Sequence, residues 1–182
     1  MDNKLKTVVL DRDGVINEES DEFIKSPEEW VPIEGSLEAI SRLNHAKVKV
    51  FIASNQSGIV RKLLDYEILN EIHRKMLSEL AQYGGHIDGI FVCPDLESEC
   101  RKPKPGMLAD IERRAGLSLK QASLIGDSLR DIQAATAYGL EPILVKTGNG
   151  AVTSHNKQLP REMPIFENLA EAVNFLLTRA MN

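Results

Sequence analysis

The sequence has little of what marks secreted, membrane-spanning or nucleic-acid-binding proteins. Its 182 residues include only two cysteines, and aromatic residues make up 5%. No apolar run approaches the roughly 20 residues that a membrane-spanning helix needs. The first residues, MDNKLKTVVL, have no cationic stretch followed by a long apolar core. We therefore expect no secretory leader and a cytoplasmic location.

The charge balance argues against general binding to nucleic acid. The formal net charge is −5, and basic residues are scattered apart from one group at Arg101, Lys102 and Lys104. Nucleic-acid-binding domains usually carry a basic face. A content of 42% hydrophobic and 27% charged residues is ordinary for a soluble globular protein. We expect a single domain over residues 1–182 whose partner is a small molecule rather than nucleic acid or a membrane.

The two cysteines, Cys93 and Cys100, lie close together in the sequence. Structural disulfides are rare in cytosolic proteins. We therefore interpret the pair as thiols or as the remnant of a metal site rather than as a disulfide.

Apolar runs and helical patterns alternate along the chain. Strands are predicted at Thr7–Leu10, Val48–Ala53, Gly89–Val92, Ala122–Ile125 and Pro142–Val145. Helices are predicted at Ser36–His45, Tyr66–Tyr83, Gly106–Ala115, Ser128–Tyr138 and Asn168–Arg179. Near-continuous apolar strands between helices indicate a mostly parallel sheet covered on both faces. The prediction is therefore a three-layer, Rossmann-like α/β fold with right-handed crossovers.

Local signals support several boundaries. Ser36 is a candidate cap for the first helix, and Pro105 suits the first turn of the third. Gly139 stands where a left-handed helix cap is expected. The irregular segments 18–35 and 148–164 are predicted to be loops, and loops of this length in compact domains are often functional.

The stretch VVLDRDGVIN at Val8–Asn17 ends an apolar strand with two acids, Asp11 and Asp13. Side chains alternate along an extended backbone, so residues two positions apart point to the same side of the strand. Such a pair is unfavourable without a cation nearby, and Mg²⁺ prefers hard oxygen ligands. The pair therefore predicts a magnesium-assisted site in which one carboxylate is free to attack phosphorus.

Polar residues also follow the other predicted strands. In a doubly wound sheet, ligands bind beyond the carboxyl ends of the strands. The residues at these ends are Ser54 and Asn55 after the second strand, Arg101 and Lys102 after the third, and Asp127 with Asp131 after the fourth. Acid, hydroxyl, amide and cation groups together can hold Mg²⁺ and a phosphoryl group.

Each of these residues, taken singly, has an ordinary structural explanation. Asp131 could cap a helix or lie on the surface. Ser54 and Asn55 could form a turn, and Lys102 could be an exposed charge. Coincidence is a poor explanation for finding all of these residues after predicted strands of one sheet.

Four segments, in this order, carry a family resemblance: DRDGVIN, SNQSGI, CRKPKPGM and GDSLRDIQAA. They resemble the four motifs of the haloacid dehalogenase (HAD) superfamily of phosphohydrolases. Within it, the chain is similar to the subfamily of heptose bisphosphate and histidinol-phosphate phosphatases. The resemblance covers about Val8 to Val145 and implies the HAD fold. The chain has no long insertion after the first motif or the second strand, so we expect no large cap domain.

The resemblance implies a reaction at the first motif. Asp11 would be the nucleophile that forms a phosphoaspartyl intermediate. Asp13 would act first as general acid for the leaving oxygen and then as base for water. Mg²⁺ would be bound by Asp11, by the carbonyl oxygen of Asp13 and by Asp127.

The later motifs would bind the phosphoryl group. Ser54 and a main-chain donor at Asn55 would hydrogen-bond its oxygens, and Lys102 would neutralise its charge. Asp131 would orient a metal-bound water or Lys102. Arg101 and Lys104 are placed to contact a second phosphate or sugar hydroxyl groups.

The cysteine loop departs from the pattern of many relatives, which bind zinc through C-P-H followed by C-x-C. Here Asp95 replaces the histidine and Ser98 replaces a cysteine. Structural zinc normally takes four Cys or His ligands, so Cys93 and Cys100 alone predict no structural Zn²⁺.

The resemblance favours D-glycero-D-manno-heptose 1,7-bisphosphate as substrate, cleaved at the 7-phosphate in the route to lipopolysaccharide core heptose. Histidinol phosphate or another small phosphorylated metabolite is the alternative. A receiver-type signalling domain would carry its phospho-acceptor on a later strand, and a non-catalytic phosphate-binding module would not need both acids. By the same resemblance we expect a monomer.

Overall fold

The computed structural model describes residues 5–181, and within them strands and helices alternate as the apolar pattern predicts. The strands are β1 (Thr7–Leu10), β2 (Lys49–Asn55), β3 (Gly89–Cys93), β4 (Ser123–Gly126), β5 (Glu141–Val145) and β6 (Ile165–Phe166). The helices are α1 (Ser36–His45), α2 (Tyr66–Gln82), α3 (Gly106–Ala115), α4 (Leu129–Tyr138), α5 (Gly150–Thr153) and α6 (Leu169–Met181). The prediction missed β6, and it missed α5 inside the segment 148–164.

The strands form one parallel sheet in the order β3-β2-β1-β4-β5-β6. Along β1, Val8 and Leu10 pack with α1, α2 and α6, whereas Val9 packs with α3 and α4. Alternation along the strand therefore buries both faces of the sheet. The predicted three-layer α/β fold is confirmed. The strand order reverses at β1, which is where such folds place their ligands.

Local boundaries show where side-chain partners override a sequence signal. Ser36 does not cap α1, because its hydroxyl donates to the carbonyl oxygen of Ile16 at 2.6 Å. Gly35, with φ of 78°, occupies the cap position instead. Gly139 ends α4 in the left-handed conformation that was predicted, with φ of 87°.

The cysteines form a disulfide between Cys93 and Cys100, so the interpretation of the pair as thiols or a metal-site remnant is wrong. Their Cα atoms are 5.7 Å apart, within the range of natural disulfides. The disulfide joins the loop to the end of β3, and the Gly106 amide, at the start of α3, donates to the Glu99 carbonyl oxygen at 3.1 Å. A side chain at Gly106 would overlap that carbonyl. The expectation of no structural zinc stays a prediction.

The irregular segment before α1 is anchored by α2. Lys75 Nζ donates to the carbonyl oxygens of Pro27 and Trp30, at 2.9 and 2.8 Å. The Trp30 side chain is fully buried in the core. These contacts fix the later part of the segment, and residues 19–21, 23 and 24 nearer its start line the cleft described below. In the described part of the chain, no helix combines the length and the apolar character needed to cross a membrane.

Candidate active site

A cleft of about 390 Å³ opens beyond the carboxyl ends of the central strands. Its walls include eight residues that the sequence singled out for catalysis, phosphate binding or metal binding: Asp11, Asp13, Ser54, Asn55, Arg101, Lys102, Asp127 and Asp131. These residues come from four separate stretches of chain. They meet here because parallel strands end at the same edge of the sheet.

Lys102 is buried at the floor of the cleft, where its ammonium group contacts several acceptors. Its Nζ lies 2.9 Å from Asp11 Oδ1 and 2.6 Å from Asp131 Oδ1, and it donates to the Ala53 carbonyl oxygen at 2.7 Å. Burial alone would lower the pKa of Lys102, but the two carboxylates outweigh it and raise the pKa to about 12. The side chain is therefore a permanent cation, and the interpretation of Lys102 as an exposed charge is wrong.

Asn55 positions the Lys102 backbone. Its side-chain amide donates to the Lys102 carbonyl oxygen at 3.0 Å, and its carbonyl oxygen accepts from the Lys102 amide at 3.1 Å. The peptide bond that follows, Lys102–Pro103, is cis. These two hydrogen bonds join the end of β2 to the loop before α3, so the two motifs form one unit.

Asp131 both caps α4 and pairs with Lys102. Its Oδ2 accepts from the backbone amide of Ser128 at 3.0 Å and from the Ser128 hydroxyl at 2.6 Å, while Oδ1 faces Lys102. Burial raises the pKa of Asp131, but Lys102 and the Ser128 hydrogen bonds lower it below its usual value. The side chain is fully buried, so the surface interpretation is wrong. Both oxygens are engaged, which favours a supporting role over direct metal binding.

Asp13 is surrounded by hydrogen-bond donors. The guanidinium of Arg12 reaches both carboxylate oxygens, with Nε donating to Oδ1 and Nη2 to Oδ2 at 3.0 Å each. Asn17 donates to Oδ1 at 2.9 Å and Gln56 to Oδ2 at 3.0 Å. Burial would raise the pKa of Asp13, but Arg12 and these donors hold it below its usual value.

Asp11, Asp127 and Asp131 offer oxygens that lie within 4.8 Å of one another. Burial and then the Asp131 charge raise the pKa of Asp11 well above its usual value. The same two causes raise the pKa of Asp127 to about 7. The donor set is therefore an excess of buried oxygen anions.

The charge balance at the floor fits a divalent cation. Its four acids are Asp11, Asp13, Asp127 and Asp131, and its two buried cations are Arg12 and Lys102. Two negative charges remain uncompensated when all four acids are ionised. Hard carboxylate oxygens with this excess suit Mg²⁺.

The rim of the cleft is basic. Burial and then the neighbouring charges of Arg130 and Arg61 lower the pKa of Arg101, so the three guanidinium groups lie close together. Within residues 5–181, Arg101 Nη1 is buried and has no hydrogen-bond partner. Three cations and one unsatisfied donor make a site for an anion.

Several residues of this cleft had no individual role predicted from the sequence. Besides Arg61 and Arg130, they are Glu19, Phe23 and Asn149. Asn149 connects two walls, because its amide donates to Asp127 Oδ2 at 2.7 Å and its side chain donates to Glu19 Oε2 at 3.2 Å. Burial and then Asp13 raise the pKa of Glu19. Arg61 and Arg130 do lie inside or beside the recognised motifs, which was the available signal.

Lys104 is placed differently from Arg101. Its Nζ lies 2.9 Å from both the Glu97 carbonyl oxygen and Glu99 Oε1. Lys104 therefore stabilises the cysteine loop and does not line the cleft, contrary to the expectation that it would contact a second phosphate.

Comparison with known proteins identifies the class to which this site belongs. The family model of HAD-hydrolase-like proteins matches residues 99–172. A relative from Bordetella bronchiseptica is 49% identical over 97% of this chain and over all of its own length. The chain therefore belongs to the HAD superfamily, and it is a phosphatase, a hydrolase of phosphoric monoesters.

The similarity extends to one kind of phosphatase. The Bordetella relative is named D-glycero-beta-D-manno-heptose-1,7-bisphosphate 7-phosphatase. A relative of the same name from Neisseria meningitidis serogroup A is 44% identical over 95% of this chain and 95% of its own length. The crystal structure of the B. bronchiseptica D,D-heptose 1,7-bisphosphate phosphatase, complexed with magnesium and phosphate, matches with a TM-score of 0.92. The two sequences are 49% identical, and the match covers 96% of this chain and 99% of the Bordetella chain. The predicted HAD fold without a large cap is thereby confirmed.

Proposed function

We propose that this phosphatase removes the 7-phosphate of D-glycero-β-D-manno-heptose 1,7-bisphosphate through a phosphoaspartyl intermediate on Asp11. The main structural support for a bisphosphate substrate is the cluster of Arg61, Arg101 and Arg130, which faces the cleft that contains Asp11. A bisphosphate places one phosphate at the acids and the other at the arginines. The names of the relatives at 44–49% identity support the sugar and its β anomer.

In the first step, a carboxylate oxygen of Asp11 attacks phosphorus and the bond from phosphorus to the sugar oxygen breaks. Asp13 must enter this step protonated, although Arg12 and its other donors favour the carboxylate in the free site, and it then gives that proton to the leaving oxygen. In the second step, water attacks the phosphoaspartate, Asp13 takes a proton from it, and inorganic phosphate leaves as the Asp11 carboxylate is restored. Asp11 Oδ1 accepts from the Arg12 amide at 2.8 Å and faces Lys102 at 2.9 Å, so its orientation is well defined.

Phosphate binding is assigned to Ser54, Asn55 and Lys102. The Ser54 hydroxyl oxygen accepts from Gln56 Nε2 at 2.7 Å, which leaves its own hydrogen to donate to a phosphoryl oxygen. The Asn55 main chain supplies a second donor, while its side chain holds Lys102. Lys102 offsets negative charge on the nucleophile and on the transferring group.

Asp11, Asp127 and the carbonyl oxygen of Asp13 would hold Mg²⁺, with Asp131 orienting Lys102 beside them. When bound, the ion supplies positive charge that stabilises the negative charge of the phosphoryl group. The excess of two negative charges at the cleft floor is the structural support for this assignment. We also propose that the protein acts as a cytoplasmic monomer; the residues assigned to catalysis, phosphate binding and metal binding all line one cleft, so the proposed reaction needs no residue from a second copy.

A direct test measures phosphate release with Mg²⁺ from three substrates: the heptose bisphosphate, heptose 7-phosphate and histidinol phosphate. We expect kcat/KM for the bisphosphate to exceed that for the monophosphate by about tenfold or more, because charge-assisted hydrogen bonds contribute about 1.5–3 kcal/mol. Histidinol phosphate brings a cation where the arginines lie and should be the poorest. A preference for histidinol phosphate would overturn the assignment.

The nucleophile is tested by Asp11→Asn, which should reduce turnover to background and abolish trapping of labelled enzyme in rapid-quench experiments. Asp110→Asn is the matched control, since Asp110 lies on the surface of α3 and pairs with Arg113. Phosphate release by Asp11→Asn at the parent rate would exclude the proposed mechanism.

A further inference from the structure

A buried chain of contacts leads from the cleft to helix α2. Arg12 is completely inaccessible to solvent, although arginine is among the residues least often buried. Two of its nitrogens bind the Asp13 carboxylate, and the third, Nη1, lies 3.3 Å from Nε2 of His73. His73 lies on α2, 61 positions further along the chain, and is itself buried.

The chemistry of the two groups fixes the direction of the Arg12–His73 contact. A guanidinium can only donate, so His73 Nε2 must accept and must carry no proton. Burial and then the Arg12 charge lower the pKa of His73 to about 4, so the ring is neutral near pH 7. His73 thus holds the one guanidinium nitrogen that Asp13 does not bind.

We propose that Arg12 and His73 are positioning residues that set the orientation of the Asp13 carboxylate. The proposal rests on the role of Asp13 as proton donor, stated above. Arg12 binds Asp13 through a planar fork, so tilting the guanidinium tilts the carboxylate with it. The contact with His73 restrains that tilt and thereby couples α2 to the reacting centre.

The consequence is kinetic. A proton donor acts only within hydrogen-bond reach of the leaving oxygen, and a misplacement of about 1 Å can lower a rate by about 100-fold. The demand for that proton depends on the leaving group. A sugar alkoxide needs protonation as it leaves, whereas p-nitrophenolate leaves readily without it. Misorientation of Asp13 should therefore impair sugar phosphates more than aryl phosphates.

The experiment compares kcat/KM for heptose 1,7-bisphosphate and for p-nitrophenyl phosphate in His73→Leu, His73→Gln and the parent enzyme. Leucine fits the apolar surroundings of His73 beside Leu69 and Val92 but accepts no hydrogen bond. We expect His73→Leu to lose about tenfold or more on the bisphosphate, mainly in kcat, and less than about threefold on the aryl ester. His73→Gln offers an acceptor oxygen and should recover most of the loss.

His86→Leu is the matched control, because the His86 side chain is exposed and lies outside this chain of contacts. It should behave as the parent on both substrates. Equal losses on the two substrates in His73→Leu, no loss at all, or no recovery in His73→Gln would each overturn the proposal.

Asp13→Asn separates this inference from the function on which it rests. If Asp13→Asn impairs the bisphosphate far more than the aryl ester but His73→Leu does not, only the positioning role fails. If Asp13→Asn impairs both equally, the assignment of Asp13 as proton donor fails first. Arg12→Lys provides a second perturbation of the same contact and should reproduce the leaving-group difference, since lysine has no fork.

Discussion

Replacing Lys102 by methionine removes the only cation in contact with Asp11 and Asp131 among the described residues. Methionine keeps the length and apolar stem of lysine and loses its charge. Removing one partner from a buried ion pair costs about 3–5 kcal/mol, because the remaining carboxylates are left buried without compensation. For a chain of this size, that corresponds to a fall of roughly 6–20 °C in the melting temperature.

The assay is denaturant unfolding of the parent and Lys102→Met in metal-free buffer at pH 7. The matched control is Lys104→Met, two residues away, whose exposed pair with Glu99 should be worth less than about 1 kcal/mol. Turnover of Lys102→Met should also fall by about 100-fold or more, since a charge opposite the transferring phosphoryl group is lost.

A double variant tests the physical reason. In Lys102→Met combined with Asp131→Asn, one orphaned negative charge is also removed. The combined loss should therefore be smaller than the sum of the single losses by about 1–3 kcal/mol. The reasoning is refuted if Lys102→Met unfolds within about 1 kcal/mol of the parent, or if the two single losses simply add.

Further expectations concern the metal site and the cysteine loop. The pKa of Asp127 is raised to about 7 in the folded protein, whereas in the unfolded chain the group ionises near pH 4. Without metal, Asp127 therefore lowers the free energy of unfolding as pH rises from about 4 to 7. Mg²⁺ should consequently raise the melting temperature more at pH 8 than at pH 5, and an equal effect at both would contradict the assignment. A methyl group at Gly148 would overlap Asp127 Oδ2, and the backbone there has φ of 55°, so Gly148→Ala should weaken Mg²⁺ binding measured by calorimetry. Changing Cys93 and Cys100 together to serine should lower the free energy of unfolding by roughly 2–3 kcal/mol, because the disulfide closes a short loop. An unchanged free energy of unfolding would argue against the disulfide. Near-stoichiometric zinc in elemental analysis of the parent would overturn the expectation that this loop holds none.

The residues at the strand ends could be predicted from the sequence because the strands themselves could be predicted. Apolar runs mark buried parallel strands, and their carboxyl ends converge by the geometry of the sheet. Asp11 follows β1, Asn55 ends β2 and Asp127 follows β4, so each was found from its position alone. The same local logic located the left-handed cap at Gly139.

Residues that support those groups were not readable in this way. Arg12 stands between two acids and looks like a spacer, yet it is the partner of Asp13. His73 carries no sign of its partner in the sequence, because a helical pattern indicates which face is buried and not which residue a buried side chain contacts.

Sequence alone determined the layered α/β fold, the motifs and the chemical class of the site, because periodicity and strand ends are local properties of the chain. Tertiary structure decided the partners: Arg12 with His73, the arginines at the rim, and Cys93 with Cys100. Such contacts depend on how helices and loops dock against the sheet. That docking is settled by packing between segments far apart in the chain, which no local pattern encodes.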